Sequence, residues 1–119
     1  MERVKFVNHK GKNILLLDFS NCSCEEVLRI IEESKKLIET QPEHSLLTLT
    51  NVEGAHFDSK VVEAMKDFTV HNKPYVRKGA VVGVTGLKRI IYDAVMRFSG
   101  RNLPSFDNIE EAKDYLVED

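Results

Sequence analysis

The sequence predicts an α/β fold: a mixed, mostly parallel five-stranded sheet with four helices, in the order ββαβαβαβα, as a single domain over residues 1–119. Three observations predict it. Short apolar runs alternate with longer stretches whose apolar residues recur every three or four positions, the pattern of strands alternating with helices. The first two runs are separated only by a Gly-containing turn, so they read as a hairpin. Hydroxyl and carboxylate caps stand where the helical stretches begin. At 119 residues, 42% of them hydrophobic, the chain can bury a core without disulfides or metal.

The elements follow in order. In residues 3–7, Val4 and Phe6 alternate with Arg3 and Lys5, as in a half-exposed strand. Asn8–Lys12 is a turn, with Gly11 supplying a positive φ. Ile14–Leu17 is continuously apolar, as in a strand covered on both faces, so the first strand should run antiparallel to it. Ser23 and Glu26 form a capping box, and Val27, Leu28, Ile30, Ile31, Leu37 and Ile38 follow as a helical stripe that Gln41-Pro42 ends. Leu46–Thr50 is a third strand with Leu47 and Leu49 on one face. After the loop Asn51–Phe57, a second helix starts at Asp58 or Ser59, buries Val61, Ala64, Met65 and Phe68, and stops at Asn72-Lys73-Pro74. Ala80–Val84 is a fourth strand. Thr85 is expected to cap a third helix, whose buried stripe reads as Leu87, Ile90, Ile91, Ala94, Val95 and Phe98 before Ser99-Gly100 closes it. Leu103–Phe106, with its Pro104, suits an edge strand. Asp107 and Glu110 read as a capping box for a last helix, with Ile109, Ala112 and Leu116 on its apolar side.

Charge and hydropathy exclude some functions. The longest uninterrupted apolar run, Ile14–Leu17, is far short of the roughly 20 residues of a transmembrane helix. The first residues alternate charged and apolar and form no signal-peptide core, so a cytoplasmic protein is expected. A net charge of −2 argues against a general nucleic-acid binder. That figure is uneven: residues 73–101 hold seven Lys or Arg and one Asp, a net +6, while the other 90 residues carry −8. The asymmetry points to an anionic partner or to self-association of oppositely charged faces; the plainer account is one solvated basic helix face.

No catalytic set, cofactor motif or metal site is expected. Glu53, His56 and Asp58 share one loop at the carboxyl end of the third strand, where α/β sheets place ligands, but E-x-x-H-x-D fits no metal spacing and the loop has no second histidine. An enzyme built on them would require a shifted His56 or Asp58 in a cleft; the plainer role of Asp58 is to cap a helix. Cys22 and Cys24 form a C-x-C with no further cysteine, too few ligands for metal. Cys24 in a first helical turn could serve redox chemistry, against burial of both as small apolar residues. Thr85, Gly86, Lys88 and Arg89 bring a helix N-terminus beside two cations, a candidate anion site without the phosphate-loop pattern. On the third helix Lys88, Tyr92 and Met96 lie off the expected buried stripe beside Arg97 and Arg101, so these five are a candidate partner surface of interface-prone residue types, unless Tyr92 and Met96 are covered.

The segment Leu47–Val52, followed by Phe57-Asp58-Ser59 entering a helix, resembles the STAS family, the sulfate-transporter and anti-sigma-factor-antagonist domains. Leu103–Ala112 looks like that family's closing strand and helix. Gly83–Leu87 and Arg97–Asn102 resemble SpoIIAA-like bacterial proteins grouped with STAS and with lipid-binding SEC14 domains, and the resemblance spans essentially the whole chain. It implies a motif loop at Asp58, Ser59 and Lys60. In the antagonists, the position of Lys60 is a hydroxyl residue that accepts phosphate, and the position of Val61 is a glycine; the resemblance therefore implies a scaffold without the usual phosphoacceptor. Two functions follow as expectations: a non-enzymatic regulatory or protein-interaction module, with homodimerisation open, and, as the alternative, a carrier or sensor of a small amphipathic or lipid anion.

Overall fold

A computed structural model describes residues 2–118; Met1 and Asp119, the ends of the expected 1–119 domain, lie outside the described residues. The elements are β1 (Val4–His9), β2 (Lys12–Asp18), α1 (Cys24–Ile38), β3 (Leu46–Asn51), α2 (Ser59–Asn72), β4 (Val76–Val82), α3 (Lys88–Ser99), β5 (Ser105–Phe106) and α4 (Ile109–Val117). The strands form one five-stranded sheet in the order β1-β2-β3-β4-β5, with β1 antiparallel to β2 and the remaining pairs parallel.

The hairpin is closed by two residues, Lys10 and Gly11, at φ 51° and 84°. Two successive positive φ values match the right-handed twist of the strands it joins, which fixes His9 opposite Lys12 and Val4 opposite Leu17. From β2 onward each connection carries a helix and steps one strand in the same direction. Right-handed crossovers stepping one way must all pass over the same face of the sheet. Accordingly α1, α2 and α3 lie side by side on one face, over a core that includes Leu15, Leu17, Val52, Val81 and Phe19. Among the described residues the other face has only α4, whose Ala112 and Leu116 cover Ile14, Leu47, Leu49, Ala80 and Val82.

Local chemistry fixes each start. Ser23 Oγ accepts from the Glu26 amide (3.2 Å), and Glu26 Oε1 accepts from the Ser23 amide (2.9 Å), so the capping box is formed. Asp58 Oδ1 accepts from the Val61 amide at 2.8 Å and caps α2. Lys12 and Lys78 hold the far end of α4: their ammonium groups donate to the carbonyls of Val117 (3.1 Å) and Tyr115 (2.7 Å), where a helix terminus is electronegative.

Four expectations need correction. The fourth strand runs over Val76–Val82, not Ala80–Val84. It begins earlier because Lys78 turns its side chain to α4, and it ends at Gly83, whose φ of +92° leaves the extended region. Thr85 does not cap α3: the N-cap is Leu87, without a side-chain hydrogen bond, since Thr85 and Gly86 accept through their carbonyls from Lys88 and Arg89. The α4 cap is Asn108, accepting from the Glu111 amide at 2.9 Å, rather than Asp107 with Glu110. The fourth correction is the largest. α3 is rotated by about one residue, roughly 100°, from the expected stripe. Leu87, Ile90 and Phe98 are 80%, 69% and 62% exposed, while Val95 and Ser99 are buried and Ile91, Tyr92 and Met96 pack on the core.

Two stability tests follow. Ser23→Ala should lower unfolding free energy in a urea titration by about 1 kcal/mol. The hydrogen bonds from Ser23 hold the Glu26 carboxyl below its ordinary range. A depressed carboxylate pKa stabilises above the unfolded value and ceases to do so as pH falls through the folded one. The gap between wild type and Glu26→Gln should therefore narrow in acid. Gly11→Ala and Gly83→Ala should differ. Both glycines have positive φ, but a Cβ at Gly11 meets nothing within 4 Å, whereas one at Gly83 meets the Glu53 backbone at 2.5 Å. Gly11→Ala should cost about 1 kcal/mol and Gly83→Ala clearly more, by the same titration.

Candidate functional site

The space between α2, α3 and the sheet is not completely filled. An apolar cavity of about 80 Å³ lies there, floored by Thr48 and Thr50 of β3 and roofed by Met65 and Phe68 of α2 and Ile91, Tyr92 and Val95 of α3. Alternation along β3 explains the floor: Leu47 and Leu49 face α4, so Thr48 and Thr50 face the three-helix layer. Gly79 on β4 is needed beneath the cavity's edge, because a Cβ there would come within 2.9 Å of both Leu103 Cδ2 and Thr48 Oγ1.

The candidate residues of α3 divide around this cavity. Tyr92 is half-buried; its hydroxyl donates to the Leu103 carbonyl, and burial pushes its phenol pKa up. Met96 accepts through Sδ from the Leu103 amide at 3.3 Å. Of the two expectations, an exposed contact surface or covered side chains, the geometry matches the second: both clamp the segment that leads into β5. Arg101, following the left-handed Gly100 that ends α3, is partly buried at the cavity wall and donates from Nη1 to the Thr69 carbonyl at 3.3 Å. Burial pulls its pKa down. Lys88 also lines the cavity, whereas Arg97 is exposed.

At the expected anion site, Thr85, Gly86, Lys88 and Arg89 stand together at the start of α3. The amides of Lys88 and Arg89 donate to the carbonyls of Thr85 and Gly86 at 3.1 Å, so these two donors are already occupied. Arg89 donates to Ser105 Oγ (3.2 Å) and lies over the Tyr92 ring, 5.3 Å from its centroid.

The motif loop places Asp58, Ser59 and Lys60 at the exposed start of α2. Asp58 is occupied as the cap. Glu53 and His56 are exposed and stand outside the cavity lining. No three His, Cys, Asp or Glu side chains group to hold a metal among the described residues. Cys22 is fully buried and Cys24 half-buried, both as free thiols; burial pushes the Cys22 thiol up, away from the reactive thiolate.

Sequence reasoning missed the outward face of α3. Leu87, Ile90, Ala94 and Phe98 recur at helical spacing, and the first two and the last are largely solvent-exposed. Phe98 extends the patch to α2, where Val70 is also exposed and Lys66 Nζ lies 5.4 Å from the Phe98 ring centroid. No helix among the described residues is long and apolar enough to cross a membrane.

No family model and no curated relative matches the sequence. The structure does have a counterpart among solved structures. An anti-sigma-factor antagonist (STAS) domain protein from Planctomyces limnophilus superimposes with a TM-score of 0.66, over 97% of this chain and 98% of that one, at 14% sequence identity. The likeness extends over nearly the whole of both chains, and the fold described above is the STAS fold.

Proposed function

We propose that the chain works as a single-domain, non-enzymatic protein-interaction module, in the manner its STAS fold suggests, and that it meets its partner through the outward face of α3. The exposed stripe Leu87, Ile90 and Phe98 supports this reading most. Large apolar side chains clustered on one helix face are unfavourable in water unless something covers them, and such patches mark interaction surfaces. Arg97 stands exposed on the same side, so the fitting partner is apolar at its centre and acidic at its rim. Lys60 supplies an ammonium at the position where the resemblance puts a phosphate-accepting hydroxyl in the antagonists, so in this reading the interaction is not governed by phosphorylation at that residue. A second reading, a sensor or carrier of a small amphipathic anion, is favoured by the cavity beneath α3.

The test pairs Ile90→Asp with Phe98→Asp. Both positions are solvent-exposed, so the double variant should keep its far-ultraviolet circular dichroism and melt within a few degrees of wild type. Cross-linking followed by mass spectrometry in the source cells should recover one protein through α3 with the wild type and lose it with the double variant. Light scattering of the purified chain decides whether that partner is a second copy. Equal recovery with both forms would remove α3 as the interface.

A further inference from the structure

The cavity under α3 has an asymmetric chemistry. Nineteen residues line it; two are cations, Lys88 and Arg101, and no carboxylate is among them. Arg101 is the more informative of the two. A guanidinium carries five N–H donors, and among the described residues the Thr69 carbonyl accepts from one of them while no carboxylate pairs with the charge. Taking a charge out of water without an opposite charge is costly, which is why buried arginines are found with anions. The downward pull of burial on the Arg101 pKa agrees with this, since an anion beside the guanidinium would relieve it.

The rest of the wall is suited to a tail. Met65, Phe68, Val81, Ile91 and Val95 are apolar, and Thr48 and Thr50 add two hydroxyls. The size limits what enters. At about 80 Å³ the cavity is roughly half the ~150 Å³ that accepts a benzene ring, which leaves room for about three carbons without repacking. A long acyl chain would have to displace α3.

We propose that this cavity is a binding site for a short-chain carboxylate, with the carboxylate on Arg101 and an aliphatic tail of about three carbons between Thr48 and Val95. The proposal rests on the sensor reading and narrows it to a substrate class. The ligand would fill the space directly beneath the helix that carries the exposed stripe, so occupancy would bear on the rigidity of α3.

The test is a methyl-resolved NMR titration of the whole chain at constant ionic strength, with butyrate, n-butanol, octanoate and inorganic phosphate. Butyrate should shift the methyl signals of Val95, Met65 and Ile91, and n-butanol should bind at least ten-fold more weakly. Arg101→Met should weaken butyrate at least ten-fold; if that variant does not fold, the comparison of butyrate with n-butanol in wild type carries the same decision. Equal binding of butyrate and n-butanol would overturn the role of Arg101. Phosphate binding as tightly as butyrate would overturn the tail site. Octanoate binding without butyrate would overturn the short-chain assignment and leave the broader sensor reading standing. No shift with any of the four would end both.

Discussion

The direction in which the chain crosses its sheet governs the rest of this structure. Each connection after β2 moves one strand further the same way, and right-handed crossovers then confine α1, α2 and α3 to one face. α3 is the last of the row. Among the described residues it packs against α2 on one side and no helix flanks it on the other, and the strand that follows it, β5, has two residues. A helix at the end of the row has less sheet to cover than the two before it. Its inward side closes imperfectly, leaving the cavity, and its outward side keeps apolar residues that stay largely exposed. The other face depends on α4 alone, held through its terminal carbonyls by Lys12 and Lys78.

Much of this was legible before any coordinates. The hairpin, the alternation and the capping box at Ser23 are local signals, each set by a few neighbouring residues, and they held. The Leu47 and Leu49 face held for the same reason. α3 was misjudged because nearly every residue on it except Lys88, Arg89, Asp93, Arg97 and Ser99 is apolar, so two stripes compete. The stripe of large apolar groups through Leu87, Ile90 and Phe98 has the stronger periodicity. The one that packs inward runs through Ile91, Tyr92, Val95, Met96 and Ser99, and it is selected by tertiary contacts: the Tyr92 hydroxyl on the Leu103 carbonyl, and Met96 Sδ accepting from the Leu103 amide at 3.3 Å. Those partners are invisible to periodicity. Such mismatches between local pattern and packing are expected where function has shaped a surface.

The basic segment has a similar history. In sequence, +6 over residues 73–101 looks like one patch. In space it is dispersed: Lys78 serves the end of α4, Arg89 braces Ser105 and Tyr92, Arg101 turns to the cavity wall, and Arg97 remains on the outward face. This dispersal disfavours a broad electrostatic footprint of the nucleic-acid kind, which needs cations gathered on one surface. It leaves a narrower chemistry, one guanidinium at a small apolar cavity and one beside an apolar stripe.

Everything said of function depends on how α3 is turned about its own axis. Paramagnetic broadening by a soluble, uncharged spin label measures this directly, through the methyl groups of the helix. The Leu87 and Ile90 methyl signals should broaden strongly while those of Val95 and Met96 stay sharp. Strong broadening at Val95 and Met96 with Ile90 protected would place the expected stripe inside after all, and would contradict both the outward surface and the cavity.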